Sequence, residues 1–128
     1  MKINPILTGE IYSTSEFNTG KKWVDNKTIY RKVLYTSITT GIPSDLSLNI
    51  SNLDSITYID VLCLQQRSAG GYQYKKSYYQ DDGDKWRWWL NDEKENNRQL
   101  LKFAGTLPSV NRKWQVIVEY TKKHNLIS

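Results

Sequence analysis

The residues best suited to contact a ligand are concentrated between Tyr72 and Leu90. This segment carries seven aromatic rings and the cations Lys75, Lys76, Lys85 and Arg87, around the acidic sequence Asp81-Asp-Gly-Asp84. Aromatic rings at this density either fill a core or present large, rigid, amphipathic surfaces. Cations beside them can form charge-assisted hydrogen bonds with acidic groups. The segment therefore predicts packing or binding rather than bond-making chemistry.

Strand alternation divides these residues between two faces. Trp86, Trp88 and Leu90 are predicted to face a core or a subunit interface, and Arg87 and Trp89 face the opposite way. For Trp89, a place in a subunit contact and a role as a platform for sugar rings are equally compatible with the sequence. If the outward residues form such a platform, their cations can pair with acidic groups of a polysaccharide. The expected glycan-binding residues are Tyr72, Tyr74, Lys76, Tyr79, Lys85, Arg87 and Trp89.

A residue set for catalysis does not accompany the aromatic segment. His124 is the only histidine and lies in a polar tail, where chain ends are commonly frayed. Cys63 is the only cysteine and lies in an apolar strand pattern, which predicts a buried, inert thiol. No Cys/His pair has metal-ligand spacing, and the acidic sequence 81–84 lacks the closing Glu of a calcium loop. We expect no enzyme activity, no metal and no cofactor, and a hairpin turn at 81–84.

Two alternatives use the same residues. Rings interleaved with cations also bind single-stranded nucleic acid, so a small nucleic-acid-binding β-barrel is the second interpretation. The cations weigh against it, because they occur as scattered pairs along the whole chain rather than in one stripe. A small glycan-degrading enzyme is less favoured, since it would need two of the thirteen acids to converge in a cleft.

Composition and periodicity predict an all-β fold. The 128 residues include nine Tyr and five Trp with many Ile, Val and Thr, all common in strands. Alternating patterns bounded by turn residues predict an antiparallel, jelly-roll-like β-sandwich of about seven short strands. Seven strands are predicted at 28–36, 46–50, 56–66, 72–79, 85–90, 99–103 and 113–121, with 72–79 and 85–90 paired as a hairpin, and an early short strand is expected at 10–14.

The chain divides into three parts. Residues 1–22 are turn-rich and form an N-terminal arm, which is either an attachment peg or a first strand. Residues 23–122 form the sandwich domain, and residues 123–128 form a short tail. No signal peptide or long apolar run is present, so synthesis in a cytoplasm and no membrane partner are expected.

One block resembles a known family. Trp23-Val-Asp-Asn-Lys-Thr-Ile-Tyr-Arg-Lys32 is similar to the pattern W-[IV]-D-G-K-x-[IL]-Y-[RQ]-K of bacteriophage tail and fibre proteins. Tyr12-Ser-Thr14 precedes it as in those proteins, and 50–56 and 116–122 match their later blocks in order. Asn26 replaces the usual Gly, and Asn tolerates the positive φ of a tight turn. The motif positions are Trp23, Asp25, Lys27, Tyr30 and Lys32.

The resemblance implies a non-enzymatic virion component. Modules of this kind form the distal β-sandwich of a tail fibre, baseplate or head fibre and are commonly trimeric. We therefore expect a homotrimer in the virion, joined to other virion proteins through the N-terminal arm and contacting host cell-surface polysaccharide. We also expect the Trp23 indole to anchor the first strand against the core.

Overall fold

A computed structural model describes residues 11–36, 39–41, 43, 45–76, 85–106 and 111–123. No α-helix occurs within these ranges, and a single 3₁₀ turn, Lys94–Asn96, connects two strands there. The strands are β1 (Phe17–Lys22), β2 (Thr28–Tyr35), β3 (Thr39–Thr40), β4 (Leu46–Ser47), β5 (Leu53–Gln66), β6 (Tyr72–Lys75), β7 (Lys85–Glu93), β8 (Arg98–Thr106) and β9 (Asn111–Lys122).

The described strands form two antiparallel sheets. The larger sheet has the order β1-β2-β9-β5-β6, with β3 also paired to β9, and the smaller sheet has the order β4-β8-β7. Long, alternating strands with β-branched and aromatic residues bury one face of each sheet, as a sandwich requires. The predicted all-β, antiparallel sandwich class is confirmed.

The chain groups into two compact units. The first contains residues 1–33, 51–59 and 117–128, and the second contains residues 34–50 and 60–116. In the first unit, Ile29, Leu53 and Val118 are buried apolar residues. The rings of Tyr30 and Tyr120 stack with centroids 6.1 Å apart. This packing fixes β2, the strand that carries the second half of the motif block, against β9.

The core of the second unit is built around Trp114 on β9. Its indole is fully buried and meets Trp86 of β7 edge-on, with centroids 4.8 Å apart and planes at 90°. Phe103 of β8 lies 5.0 Å from the same ring. These contacts pack the smaller sheet on the larger one within this unit. The predicted burial of Trp86 and of Cys63 is confirmed, whereas Trp88 is only half-buried.

The predicted hairpin between 72–79 and 85–90 is wrong. β6 pairs with β5, and β7 pairs with β8, so the two segments belong to different sheets. The reason is a tighter reversal just before them: Arg67 N–H donates to the Gly71 carbonyl, and Gly70 and Gly71 adopt positive φ. This turn folds β6 back on β5. The turn expected at 81–84 lies outside the described residues.

The expectation that Trp23 anchors the core is also wrong. Trp23 is 39% exposed and the next residue, Val24, is 90% exposed, at the turn between β1 and β2. The alternation of residue types along a strand does not show whether an aromatic ring at the end of that strand lies in the core or in solvent. The early strand expected at 10–14 is instead β1, which starts at Phe17 and so forms the first strand within the predicted arm. Residues 1–10 of the arm and 124–128 of the tail lie outside the described residues.

Two further boundaries shift. The strand predicted at 85–90 is longer, because β7 continues to Glu93 before the 3₁₀ turn. Asn97 closes that turn in the left-handed region, at φ 50°. The strand predicted at 46–50 is shorter, since β4 ends at Ser47, and the residues Leu48 and Ile50 that follow it are buried.

Candidate ligand-binding surfaces

The first candidate surface lies on the edge strand β6, and we call it the β6 surface. It consists of Tyr72, Tyr74 and Lys76. Tyr72 is 39% exposed and Tyr74 is 63% exposed. Residues two apart on a strand share a face and lie about 6.6 Å from one another, so the two phenols are neighbours on one side of the sheet. Tyr79, predicted to join them, lies outside the described residues.

The register places the β6 surface on the outer face of the larger sheet. Tyr72 pairs with Gln66, whose side-chain oxygen accepts a hydrogen bond of 3.2 Å from the Asn111 amide. Asn111 lies on β9, three residues before the core ring Trp114, so strand alternation directs the two side chains to opposite faces. Because Tyr72 shares a face with Gln66 and Asn111, the tyrosines point away from the aromatic core.

Polar groups border the tyrosines. The Lys76 ammonium lies 3.0 Å from the Asp60 carboxylate, and the Lys76 side chain keeps 70% of its exposure. The Asp60 side chain is 28% exposed and its carboxylate accepts a hydrogen bond from the Val61 N–H. The face thus combines flat rings with donors and acceptors, which is the mixture found where sugars bind to proteins.

The second candidate surface is on β7, and we call it the β7 surface. It consists of Arg87 and Trp89. The Arg87 guanidinium lies 5.7 Å from the Trp89 ring centre, and Trp89 is 41% exposed. Lys102 lies opposite Trp89 in register and forms an ion pair of 2.6 Å with Asp45. Lys85 begins β7, but its side chain lies outside the described residues.

These two surfaces do not form the single platform that the sequence predicts. Trp86 contacts the core ring Trp114, so its strand neighbours Arg87 and Trp89 face away from the core on the smaller sheet. Tyr72 and Tyr74 face away from the same core on the larger sheet. Within the second unit, the two surfaces are therefore on opposite outer faces, and one small ligand cannot contact both.

The motif block forms the β1–β2 turn and the strand that follows. The Lys27 N–H donates to the Asp25 carboxylate at 3.0 Å, and the Lys27 ammonium forms an ion pair of 2.7 Å with Asp54. Asn26 has φ 68°, the conformation for which the usual Gly is suited. Tyr30 stacks on Tyr120, and Lys32 is half-buried on the same strand. Apart from Trp23, these residues stabilise local structure.

Sequence reasoning missed two buried charges, Arg31 and Arg112, and the contacts of Arg31 show what such a charge does. Arg31 is 3% exposed, its Nε donates to Glu119 at 2.7 Å, and its guanidinium lies 4.4 Å from the Tyr12 ring centre. A second nitrogen donates to the Ile11 carbonyl at 3.3 Å. The signal was present, because the alternation of β2 places Arg31 on the same face as the apolar Ile29 and Val33. Arg31 thereby attaches residues 11–12 to β2.

Among the described residues, two ionisable groups have shifted pKa values. Burial, followed by the hydrogen bond that its hydroxyl donates to Glu16 at 2.7 Å, raises the pKa of Tyr120. Hydrogen bonds from the side chains of Arg98 and Asn96 lower the pKa of Glu93. Both shifts follow from structural contacts between strands or within a turn, and neither group borders the two candidate surfaces.

The acids of the described residues are mostly engaged in ion pairs. Those with a cationic partner are Glu16, Asp25, Asp45, Asp54, Asp60, Asp92, Glu93 and Glu119. Among the same residues, no group of three or more His, Cys, Asp or Glu side chains is arranged to hold a metal ion. His124 lies outside them. No helix in the described part of the chain has the length and apolar character needed to cross a membrane.

Comparisons of this chain with protein-family models, with curated protein sequences and with solved structures found no match.

Proposed function

We propose that this protein is a non-enzymatic structural component of a bacteriophage virion, a fibre or decoration module on the tail or capsid that contacts glycans of the host surface. The observation that carries the glycan contact is the β6 surface, where Tyr72 and Tyr74 lie side by side and exposed on an outer sheet face. The virion assignment rests on the resemblance of residues 23–32 to phage fibre proteins.

The β6 surface suits a chain of sugars. The C–H face of a pyranose ring stacks on an aromatic ring, and two rings carried by residues about 6.6 Å apart along a strand can engage neighbouring sugars. Lys76 and Asp60 lie beside the rings and offer a donor and an acceptor to ring hydroxyls. An open face rather than a pocket also fits a polymer that continues in both directions.

One copy of the protein is expected to bind the glycan weakly, whereas the many copies on a particle are expected to bind it firmly. An aromatic contact contributes about 0.5–1.5 kcal/mol beyond burial, and a millimolar site needs about 4 kcal/mol. A homotrimer, which we include in the proposal, would present three β6 surfaces, and a particle would carry many trimers. Effective concentration then converts weak contacts into stable attachment.

The β7 surface is a second contact in the same proposal. The Arg87 guanidinium beside Trp89 suits an acidic sugar or phosphate group of the polymer. Because it faces away from the β6 surface, it would contact a different polymer segment or a neighbouring subunit.

Two features support a role without catalysis. Most of the described acids are paired with cations, whereas glycoside hydrolysis needs two carboxylates positioned on either side of a scissile bond. In addition, the motif residues Asp25 and Lys27 stabilise a turn. The nucleic-acid alternative is less favoured, because within the second unit the cations that contact rings, Arg87 on β7 and Lys113 on β9, lie on different sheets.

A substitution at Tyr74 tests the glycan contact. Tyr74→Ala should weaken binding to purified surface polysaccharide of the host about tenfold or more, as measured by retardation in affinity electrophoresis, because it removes the more exposed ring. The fold should be unchanged by circular dichroism. Tyr35→Ala is the matched control, since Tyr35 is 47% exposed on β2, which β9 and β5 separate from β6 in the sheet. Equal binding by both variants would refute the assignment of the site.

The virion assignment has its own test. Size exclusion with light scattering should give the mass of three chains of 15.0 kDa each. Antibodies against the purified protein should label intact particles in electron micrographs. A monomer at micromolar concentration, together with unlabelled particles, would contradict the structural role even if polysaccharide binding were observed.

A further inference from the structure

We propose that the β1–β2 turn is a membrane-contacting tip that inserts Trp23 and Val24 into the interface of an anionic lipid bilayer. We call residues 23–24 with the preceding Lys21 and Lys22 the hairpin tip. This inference rests on the first unit alone and is independent of the glycan contact. Its starting observation is that two adjacent apolar residues, one of them 90% exposed, occupy the end of a hairpin.

The backbone of the hairpin tip is held in one conformation. Trp23 N–H donates to the Lys27 carbonyl at 2.9 Å, and Asn26 N–H donates to the Trp23 carbonyl at 2.8 Å. The Asp25 carboxylate accepts from the Lys27 N–H, and Asn26 adopts positive φ. Val24 is therefore held in solvent by a hydrogen-bonded turn. A pre-formed turn loses little conformational entropy when it binds.

The base of the turn is attached to the sheet. The Lys27 ammonium lies 2.7 Å from the Asp54 carboxylate, which also accepts a hydrogen bond from the Thr121 hydroxyl at 3.3 Å. Below the turn, the buried Thr19 hydroxyl donates to the Ile29 carbonyl at 2.7 Å, across the irregular register between Asn18 and Lys22. These contacts anchor both strands, so a force on the tip is transmitted to the β2–β5–β9 framework of the unit.

The chemistry of the hairpin tip matches a lipid interface. Indole rings concentrate at the level of lipid head groups, and lysine side chains extend along apolar surface while the ammonium remains among anionic phosphates. Lys21 and Lys22 are exposed directly before Trp23. The Lys27 charge is balanced by Asp54, and the Asp25 carboxylate, which is 40% exposed, offsets one of the two lysines, so the turn keeps a net positive charge beside Trp23 and Val24. Anionic lipid is therefore favoured over neutral lipid.

Size favours a bilayer over a protein pocket as the occupant. A stable protein interface buries about 800 Å² on each partner. Two side chains supply far less, since even a large aromatic residue buries about 150–250 Å². A fluid bilayer accepts a small apolar tip without a complementary shape, and its affinity grows with the number of tips at the surface.

This contact differs from the expectation of no membrane partner. That expectation came from the lack of a long apolar run, which is a requirement for spanning a bilayer but not for touching its interface. The tip needs only two exposed apolar residues on a rigid turn, and this arrangement becomes visible only when the fold is known.

Flotation with vesicles tests the proposal. The whole protein is mixed at low salt and millimolar lipid with vesicles of phosphatidylglycerol and phosphatidylcholine, or of phosphatidylcholine alone. We expect binding to the anionic vesicles only. Val24→Asp should reduce the bound fraction about tenfold, and Lys21→Ala should reduce the partition coefficient about fivefold. Ser55→Asp, which adds the same charge at an exposed position of the same unit, should leave binding unchanged.

Quenching by brominated lipid identifies the inserted ring. The wild-type protein should lose tryptophan fluorescence on these vesicles. Trp23→Phe should abolish that quenching, whereas Trp89→Phe should retain it. Absence of vesicle binding by the wild-type protein, binding that survives Val24→Asp, or quenching that depends on Trp89 would each overturn the proposal. The polysaccharide assay with Tyr74→Ala is unaffected by any of these results.

Discussion

The buried ion pair between Arg31 and Glu119 allows a quantitative prediction. The Arg31 side chain is 4% exposed and the Glu119 side chain is 20% exposed, and Nε lies 2.7 Å from the carboxylate. Arg31 also contacts Tyr12 and the Ile11 carbonyl. A charge this deeply buried depends on its counterion. Without its partner, either charged group would lose its hydration on folding and gain no ion pair in return.

Substitution of one partner should cost more than substitution of both. Glu119→Leu leaves the guanidinium without its carboxylate and should lower the free energy of unfolding by about 3 kcal/mol, the low end for a broken buried pair. Arg31→Met should lower it by about 4 kcal/mol, since the hydrogen bond to the Ile11 carbonyl is lost as well. The double variant leaves no unpaired charge and should cost only about 2 kcal/mol. The two sites should therefore be coupled by several kcal/mol.

Urea denaturation followed by circular dichroism measures this coupling in a double-mutant cycle. Lys102 and Asp45 form the matched control, because their ion pair is as short, at 2.6 Å, but their side chains are 27% and 48% exposed. Lys102→Met and Asp45→Asn should be coupled by no more than about 1 kcal/mol. If both cycles gave the same coupling free energy, burial would not be the reason for the strength of the Arg31–Glu119 pair, and this prediction would be wrong.

Further predictions concern the tryptophans and a surface carboxylate. Trp114→Ala should lower the free energy of unfolding by about 3–5 kcal/mol, because removal of the fully buried ring leaves a cavity. Trp23→Ala should lower it by less than about 1.5 kcal/mol in the same urea experiment, because its ring is partly exposed. Equal losses would contradict the assigned burial of the two rings. The lowered pKa of Glu93 should return toward 4.5 in Arg98→Ala, as followed by NMR titration of the side-chain carbonyl. Since the folded-state pKa is lowered, Glu93 stabilises the fold above pH 4.5, and this contribution is lost as the pH falls through the folded-state value. An unchanged Glu93 titration in the variant would exclude Arg98 as the cause.

Properties with a local cause were predictable from the sequence. Strand alternation placed Trp86 on the core face and Trp89 on the opposite face, and the apolar setting of Cys63 predicted its burial. The turn at Asp25-Asn26 followed from the tolerance of Asn for positive φ. In each case the deciding interaction lies within a few residues, so one stretch of sequence contains the information.

Properties that depend on strand partners were decided only by the tertiary structure. Alternation tells which side chains share a face of one strand, but it does not tell which strand lies alongside, because pairing joins residues far apart in the chain. Arg31 and Glu119 are 88 positions apart, and nothing near either one predicts the other. For the same reason, the predicted aromatic platform separates into two outer faces once β6 pairs with β5 and β7 pairs with β8. The exposure of Trp23 is a third example: its ring type favours a core, and only the position of the β1–β2 turn in the folded unit leaves it at the surface.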